Sequence, residues 1–280
     1  MRNPLVSVES LAAELDAGRR PVLADVRWTL NGPPGRPEYE NGHLPGAVWV
    51  DLESELTSHR AGGGRHPLPD TEVFGSAMRR IGVRADAPVV VYDGGSSLAA
   101  SRLWWLLTDA GHEDVRVLDG GFAAWLAAGR PVETGPGPVP AEGDFVPAPG
   151  RRPVYDAVRV LALVQRAGPD APTLVDVRAA DRFAGENETI DPVAGHIPGA
   201  LNRPSTQNLT AAGTFRPAPE ILERFAGLAR EPVLYCGSGI TAAHTLLALE
   251  SAGRTAAIYP GSWSDWITDP ARPRATGGSS

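Results

Sequence analysis

Val233-Leu234-Tyr235-Cys236-Gly237-Ser238-Gly239-Ile240-Thr241-Ala242-Ala243 reads as an apolar strand, a glycine-bearing turn and the opening of an alanine- and leucine-rich helix. Cys236, the only cysteine among 280 residues, stands where the strand ends. A thiol at that junction faces converging backbone N–H groups and the positive end of a helix, which favours the reactive thiolate. The alternative is a buried strand-end cysteine that acts only as a small hydrophobe.

Working outward, the same pattern occurs twice. Leu23-Ala24-Asp25-Val26-Arg27 returns as Leu174-Val175-Asp176-Val177-Arg178, and Gly42-His43-Leu44-Pro45-Gly46-Ala47 as Gly195-His196-Ile197-Pro198-Gly199-Ala200. Val90-Val91-Tyr92-Asp93-Gly94 returns as Val233-Leu234-Tyr235-Cys236-Gly237, and the segment ending in Trp125 as the segment ending in Trp266. Four blocks recurring in one order identify a duplicated domain. The first copy carries Asp93 where the second carries Cys236.

Within each copy, short apolar runs such as Pro88–Tyr92 alternate with longer periodic stretches such as 97–110. Continuous apolar runs suit strands buried on both faces, so the expectation is an α/β fold with two parallel sheets, each flanked by helices. In such folds ligands bind beyond the carboxyl ends of the strands, where Cys236 lies. Between the copies, residues 131–153 are rich in proline and glycine and cannot continue a helix or an inner strand. The expected organisation is a first domain over 1–130, a linker over 131–153 and a second domain over 154–280.

Composition narrows the function. A net charge of −7 argues against nucleic acid or an anionic membrane as partner. All 26 basic residues are arginine, which excludes Schiff-base and Walker-type lysine chemistry. One cysteine allows no internal disulfide and no cysteine metal cluster, so neither metal nor cofactor is expected. The first residues lack a signal peptide's apolar stretch, and no run approaches the roughly 20 apolar residues of a membrane span. The chain therefore reads as cytoplasmic.

The paired Asp-Val-Arg strand ends, the paired Gly-His-(Leu/Ile)-Pro-Gly-Ala loops and a cysteine confined to the second copy resemble the tandem rhodanese-domain sulfurtransferases. The resemblance implies a catalytic second domain and a non-catalytic first one. The loop Cys236-Gly237-Ser238-Gly239-Ile240-Thr241 is similar to that of the 3-mercaptopyruvate-using members, whereas thiosulfate-using members carry basic residues after the cysteine. It implies that Cys236 accepts sulfur as a persulfide and that the backbone from Gly237 through Thr241 cradles it. Ser238 would relay or donate a proton; Thr241 would either bond the sulfur or cap the helix.

The family's donor-binding arginine falls on Arg182, in Asp181-Arg182-Phe183, where a guanidinium suits a carboxylate. A surface ion pair with Asp181 or Glu186 is the alternative for it. The second arginine usual in mercaptopyruvate-using members has no counterpart in Gly185–Pro192, and Arg203 is a candidate substitute. Glu53 and His66 match an acidic residue and a histidine that face the active site in relatives; His66 would orient a carboxyl, shuttle a proton or serve only its loop. His43, His196, Asp25, Asp176, Arg27 and Arg178 occur in both copies and are assigned to architecture. Among the tryptophans, which read as packing, Trp263 is expected near the mouth of the site.

The expected partners are a small anionic sulfur donor and an acceptor that is thioredoxin, a small thiol or cyanide. Thiosulfate is the alternative donor. A cysteine phosphatase would need Cys-x5-Arg, but Ala242 stands at the arginine position and no arginine lies between Cys236 and Arg254. A non-catalytic binding module is the remaining alternative, against which the intact Cys236 loop argues.

Overall fold

The computed structural model describes residues 3–59, 62–166, 168, 171–228 and 231–278. They form two compact units, each discontinuous in sequence. The first comprises Met1–Ser58, Pro69–Arg151 and Thr210–Phe215; the second comprises His59–Leu68, Arg152–Leu209 and Arg216–Ser280.

The first unit runs β1 (Leu5–Val6), α1 (Val8–Asp16), β2 (Val22–Asp25), α2 (Arg36–Asn41), β3 (Val48–Trp49), α3 (Leu52–Glu55), α4 (Thr71–Arg80), β4 (Val89–Tyr92), α5 (Leu98–Asp109), β5 (Val115–Leu118) and α6 (Gly121–Ala127). Its sheet is parallel throughout, in the order β1-β5-β4-β2-β3. All four residues of β4 are buried, as a strand covered by helices on both faces requires. Side chains start the helices where the sequence supplies an acceptor: Ser7 takes the N–H of Ser10, and Asp70 takes that of Glu72. Residues 131–151 belong to this unit and are tied to it, for instance by Ala148 N–H to Ala110 and by the His43–Glu133 bridge.

The second unit runs α7 (Ala157–Gln165), β6 (Leu174–Asp176), α8 (Ala180–Ala184), β7 (Leu201–Asn202), a 3-10 turn (Ser205–Asn208), α9 (Ala218–Arg224), β8 (Val233–Tyr235), α10 (Ile240–Ser251), β9 (Ala257–Ile258) and α11 (Ser262–Trp266). The sheet order is β7-β6-β8-β9, again all parallel, and Val154 bridges in parallel to Ile258 beyond β9. With Val154 in the place of β1, the order matches that of the first unit strand for strand. The expected pair of parallel sheets flanked by helices is therefore what forms. From β6 the chain moves outward to β7, and from β8 outward to β9. The reversal lies between β6 and β8, and the loop carrying Cys236 leaves the carboxyl end of β8 beside it.

Candidate active site

The scaffold of the site is written twice. Arg178 binds Asp176 at 2.7 Å and the Gly195 carbonyl at 2.6 Å; Arg27 binds Asp25 at 3.0 Å and the Gly42 carbonyl at 2.5 Å. The ring of His196 stacks on Phe183 and bonds its carbonyl, as His43 does with Tyr39. Tyr235 and Tyr92 each accept the backbone N–H of the residue after the histidine. Trp266 and Trp125 donate to the Pro273 and Pro131 carbonyls. These contacts hold the strand-end loops in both units, so they build the frame and not the chemistry.

On that frame the two loops diverge. Residues 93–97 link β4 to α5, whereas 236–239 link β8 to α10, so the second loop is one residue shorter. The Asp93 carboxylate fills its own loop. One oxygen accepts N–H bonds from Gly95 and Ser97 at 2.9 Å, the other from Ala99 at 3.1 Å and Ala100 at 3.3 Å. Burial pushes its pKa up, against the lowering effect of those N–H groups. In the second unit, Cys236 Sγ accepts the N–H of Gly239 at 3.1 Å. Gly239 and Ser97 are matching positions: each precedes its helix with a left-handed backbone, at φ +86° and +57°. A Cβ at Gly239 would also lie 2.4 Å from the Pro260 carbonyl oxygen, so only glycine fits there. Thr241 and Ala242 match Ala99 and Ala100, in the first turn of α10, where N–H groups have no intrahelical acceptor.

Around Cys236 the second unit assembles a polar ring. Ser238 and His66, both buried, share a 2.7 Å hydrogen bond between Oγ and Nδ1. His66 arrives on the 59–68 segment, held by the Arg65 N–H to Ser264 Oγ at 3.0 Å. Gly64, at φ +88°, packs so closely that a Cβ would sit 2.5 Å from Ser264 Oγ. Arg182 bonds Glu188 through Nε and Nη2 and Asp191 through Nη2 at 2.9 Å, and Arg65 forms an ion pair with the same Asp191. Burial raises the pKa of Asp191 in spite of Arg65, whereas Glu188, opposed by burial, is held below the usual range chiefly by hydrogen bonds from Arg182 and from the N–H groups of Asp191 and Ile190.

Of the residues named from sequence, the second unit brings together Cys236, Ser238, His66, Thr241 and Arg182. Arg182 does make ion pairs, with Glu188 and Asp191 and not with Asp181 or Glu186. Thr241 is not the helix cap: Gly239 holds that position without a side-chain bond, so the capping alternative falls. Glu53 lies in the first unit, where it accepts the Trp28 Nε1–H at 2.6 Å. Trp263 is fully buried, donates to the Val193 carbonyl and lies under the Arg178 guanidinium, so it belongs to the core and not to a mouth. Arg203 bonds the Asn202 and Arg224 carbonyls, among a different set of residues. Gly237 does not have a positive φ; it leaves space for a guanidinium. Two residues escaped the sequence reading. Arg65 is one. Ser262 is the other: its Oγ accepts the Cys236 N–H at 3.1 Å and lies 3.9 Å from Sγ. Its signal was faint, a serine opposite Gly121 of the first copy. Among the described residues, no group of three or more His, Cys, Asp or Glu side chains could hold a metal ion, and no helix is long and apolar enough to cross a membrane.

A lone thiol bonded by backbone N–H at the head of a helix, with a serine–histidine pair and arginines in the same unit, is an arrangement suited to group transfer. The family model described as "Rhodanese-like domain" matches residues 7–128 and 158–269, and the chain belongs to that family, as a tandem-domain sulfurtransferase. It is 44% identical over 283 residues to the Mycobacterium tuberculosis protein SseB, named for thiosulfate sulfurtransfer, covering 98% of this chain and 97% of that one. It is equally, at 44%, identical to a Pseudomonas aeruginosa protein named as a 3-mercaptopyruvate sulfurtransferase, with 98% of each covered. The crystal structure of the 3-mercaptopyruvate sulfurtransferase SseA from Escherichia coli superposes with a TM-score of 0.80 at 34% identity, over 94% of this chain and 99% of that one.

Proposed function

We propose that the enzyme takes sulfur from 3-mercaptopyruvate onto Cys236 as a persulfide and passes it to a thiol, thioredoxin or a small one, or to cyanide. The relatives' names divide between two donors at equal identity, so the argument rests on the site. The observation that carries it is the Ser238–His66 pair in the cysteine loop, where a basic side chain would stand for thiosulfate. The two arginines nearby are matched by two carboxylates, Glu188 and Asp191. A charge-balanced site favours a monoanionic carboxylate donor over dianionic thiosulfate.

In the first half-reaction the Cys236 thiolate attacks the donor sulfur. The carbon–sulfur electron pair leaves with carbon as the pyruvate enolate, which takes a proton to become pyruvate; sulfur is oxidised and carbon reduced, with no outside oxidant. Ser238, bonded to His66, sits to move that proton. The new outer sulfur is anionic, and the first-turn N–H groups of Thr241 and Ala242 match those that hold the second oxygen of Asp93. In the second half-reaction the acceptor attacks the outer sulfur and the S–S electron pair returns to Cys236. A nucleophile that must stay reduced suits the cytoplasm.

Parallel kinetics with 3-mercaptopyruvate and thiosulfate, cyanide as acceptor, test the donor. The expected result is a kcat/KM about tenfold or more higher for 3-mercaptopyruvate. A thiosulfate value above it makes the enzyme a thiosulfate sulfurtransferase. Mass spectrometry after donor treatment should show one added sulfur on the wild type and none on Cys236→Ala. No adduct from either donor would leave a binding module.

A further inference from the structure

Three arginines of the second unit gather around the 204–208 turn. Arg216 Nε donates to the Gln207 carbonyl at 3.0 Å, Arg224 Nη2 to the Pro204 carbonyl at 3.0 Å with Nη1 on Asn208, and Arg203 Nε to the Arg224 carbonyl at 2.9 Å. Only Arg216 has an ion pair among the described residues, with Glu220 at 2.8 Å, so three positive charges face one carboxylate. Burial and the charges of Arg203 and Arg216 push the Arg224 pKa down to about 10, so the fold keeps the group together against its own repulsion. A basic residue in the last turn of α9 suits the helix dipole, which accounts for Arg224 but not for its two neighbours.

The turn lies at the nucleophile's end of the sheet. Arg203 N–H bonds the Asp176 carbonyl and Ser205 N–H the Val177 carbonyl, where β6 ends, and Asp176 pairs with Tyr235, the residue before Cys236. With strands about 4.8 Å apart, the turn leaves β7 roughly 10 Å from β8. A protein that covers about 800 Å² of its partner, a patch roughly 16 Å in radius, spans that distance while it brings a thiol to Cys236. We infer that Arg203, Arg216 and Arg224 form a docking patch for a protein thiol acceptor that carries carboxylates near its cysteine. This rests on the proposed sulfur transfer at Cys236. The chain's net charge of −7 repels an acidic partner over most of its surface, so an unmatched positive patch orients that partner as well as attracting it. Cyanide needs no such patch.

Two peptides of equal length test this as acceptors. Each has one cysteine, followed three to six residues on by four glutamates in one and four glutamines in the other; at about 3.3 Å per residue these side chains lie roughly 10–20 Å from the thiol. With Cys236 loaded by either donor, the acidic peptide should show a kcat/KM about 5- to 20-fold above the neutral one in dilute buffer, the worth of two or three exposed ion pairs. That advantage should shrink toward one in about 0.5 M salt. Arg216→Glu, at a side chain 39% exposed, should cut it about threefold or more. Arg203→Gln removes a charge without adding one, should lower it about twofold, and serves if the first variant does not fold. Equal use of the two peptides by a wild type that turns over cyanide, or an advantage that salt and both variants leave untouched, overturns the patch alone. A wild type that turns over neither cyanide nor either peptide overturns the sulfur transfer, and the patch with it.

Discussion

Ser262 shows how much one side chain can be asked to do. It adopts φ +56°, a left-handed backbone that costs a non-glycine residue about 1–3 kcal/mol, and it is fully buried. The position in the first unit is Gly121, at φ +55°, where a Cβ would meet the Asp93 carbonyl oxygen at 2.6 Å. The hydroxyl repays the strain by accepting the Cys236 N–H and donating to the Tyr259 carbonyl at 2.9 Å. Ser262→Ala keeps the strain and orphans a buried N–H, for an expected loss of about 1–3 kcal/mol in urea unfolding. Ser262→Gly orphans the same N–H but releases the strain, and should lose less. The reverse order would show that the left-handed backbone carries no strain that glycine relieves. Little of this is visible in the sequence, where Ser262 stands opposite a glycine of the first copy and backbone handedness leaves no other mark.

At the scale of elements, the strand ends β2 and β6 carry the same Asp-Val-Arg but differ in balance. Arg178 reaches both Asp176 oxygens through Nε and Nη2, while Asp25 receives a single Nη2 bond from Arg27 and one of its oxygens has no partner among the described residues. Burial accordingly pushes the Asp25 pKa up from 3.8 to about 6, against Arg27. A folded-state value above the unfolded one means that ionisation costs the folded state. Its stabilising contribution is present below about pH 4 and is lost as the pH rises through 6. Asp25→Asn should therefore flatten the decline in stability between pH 4 and 7 and be tolerated at neutral pH, whereas Asp176→Asn should cost several kcal/mol by breaking a buried pair. Unfolding midpoints across that pH range check both; equal losses at pH 7 would refute the contrast. These loops were legible because their contacts are local and written twice: Asp176 and Arg178 are two residues apart, and Arg178 reaches forward no further than Gly195. Arg65 was illegible for the opposite reason. Its partner Asp191 is remote in sequence, none of the four recurring blocks covers the 59–68 segment, and a glycine at 237 gives no hint of what it makes room for.

For the whole molecule, duplication supplies a control built into one chain. Phe183 and Tyr39 hold equivalent places against their histidines, so Glu38 stands in the first unit where Arg182 stands in the second. The first unit thus has a carboxylate in its cradle and a carboxylate where the second unit has Arg182, the proposed donor-binding cation. Restoring the thiol alone should not restore the reaction. The double variant Cys236→Ala, Asp93→Cys is expected to show no turnover with either donor above the Cys236→Ala background, as read by thiocyanate formation; measurable turnover would mean that the loop alone suffices.

The 59–68 segment has a consequence for how such a chain can be divided. His66 and Arg65 are encoded in the first half yet fold with the second, fitted there by Gly64 against Ser264. A gene split at the repeat boundary would give one fragment Cys236 and the other the histidine and arginine that fold with it. Duplicates that have traded a segment in this way are no longer separable copies, and selection on the thiol's surroundings now acts on the half that lost the thiol.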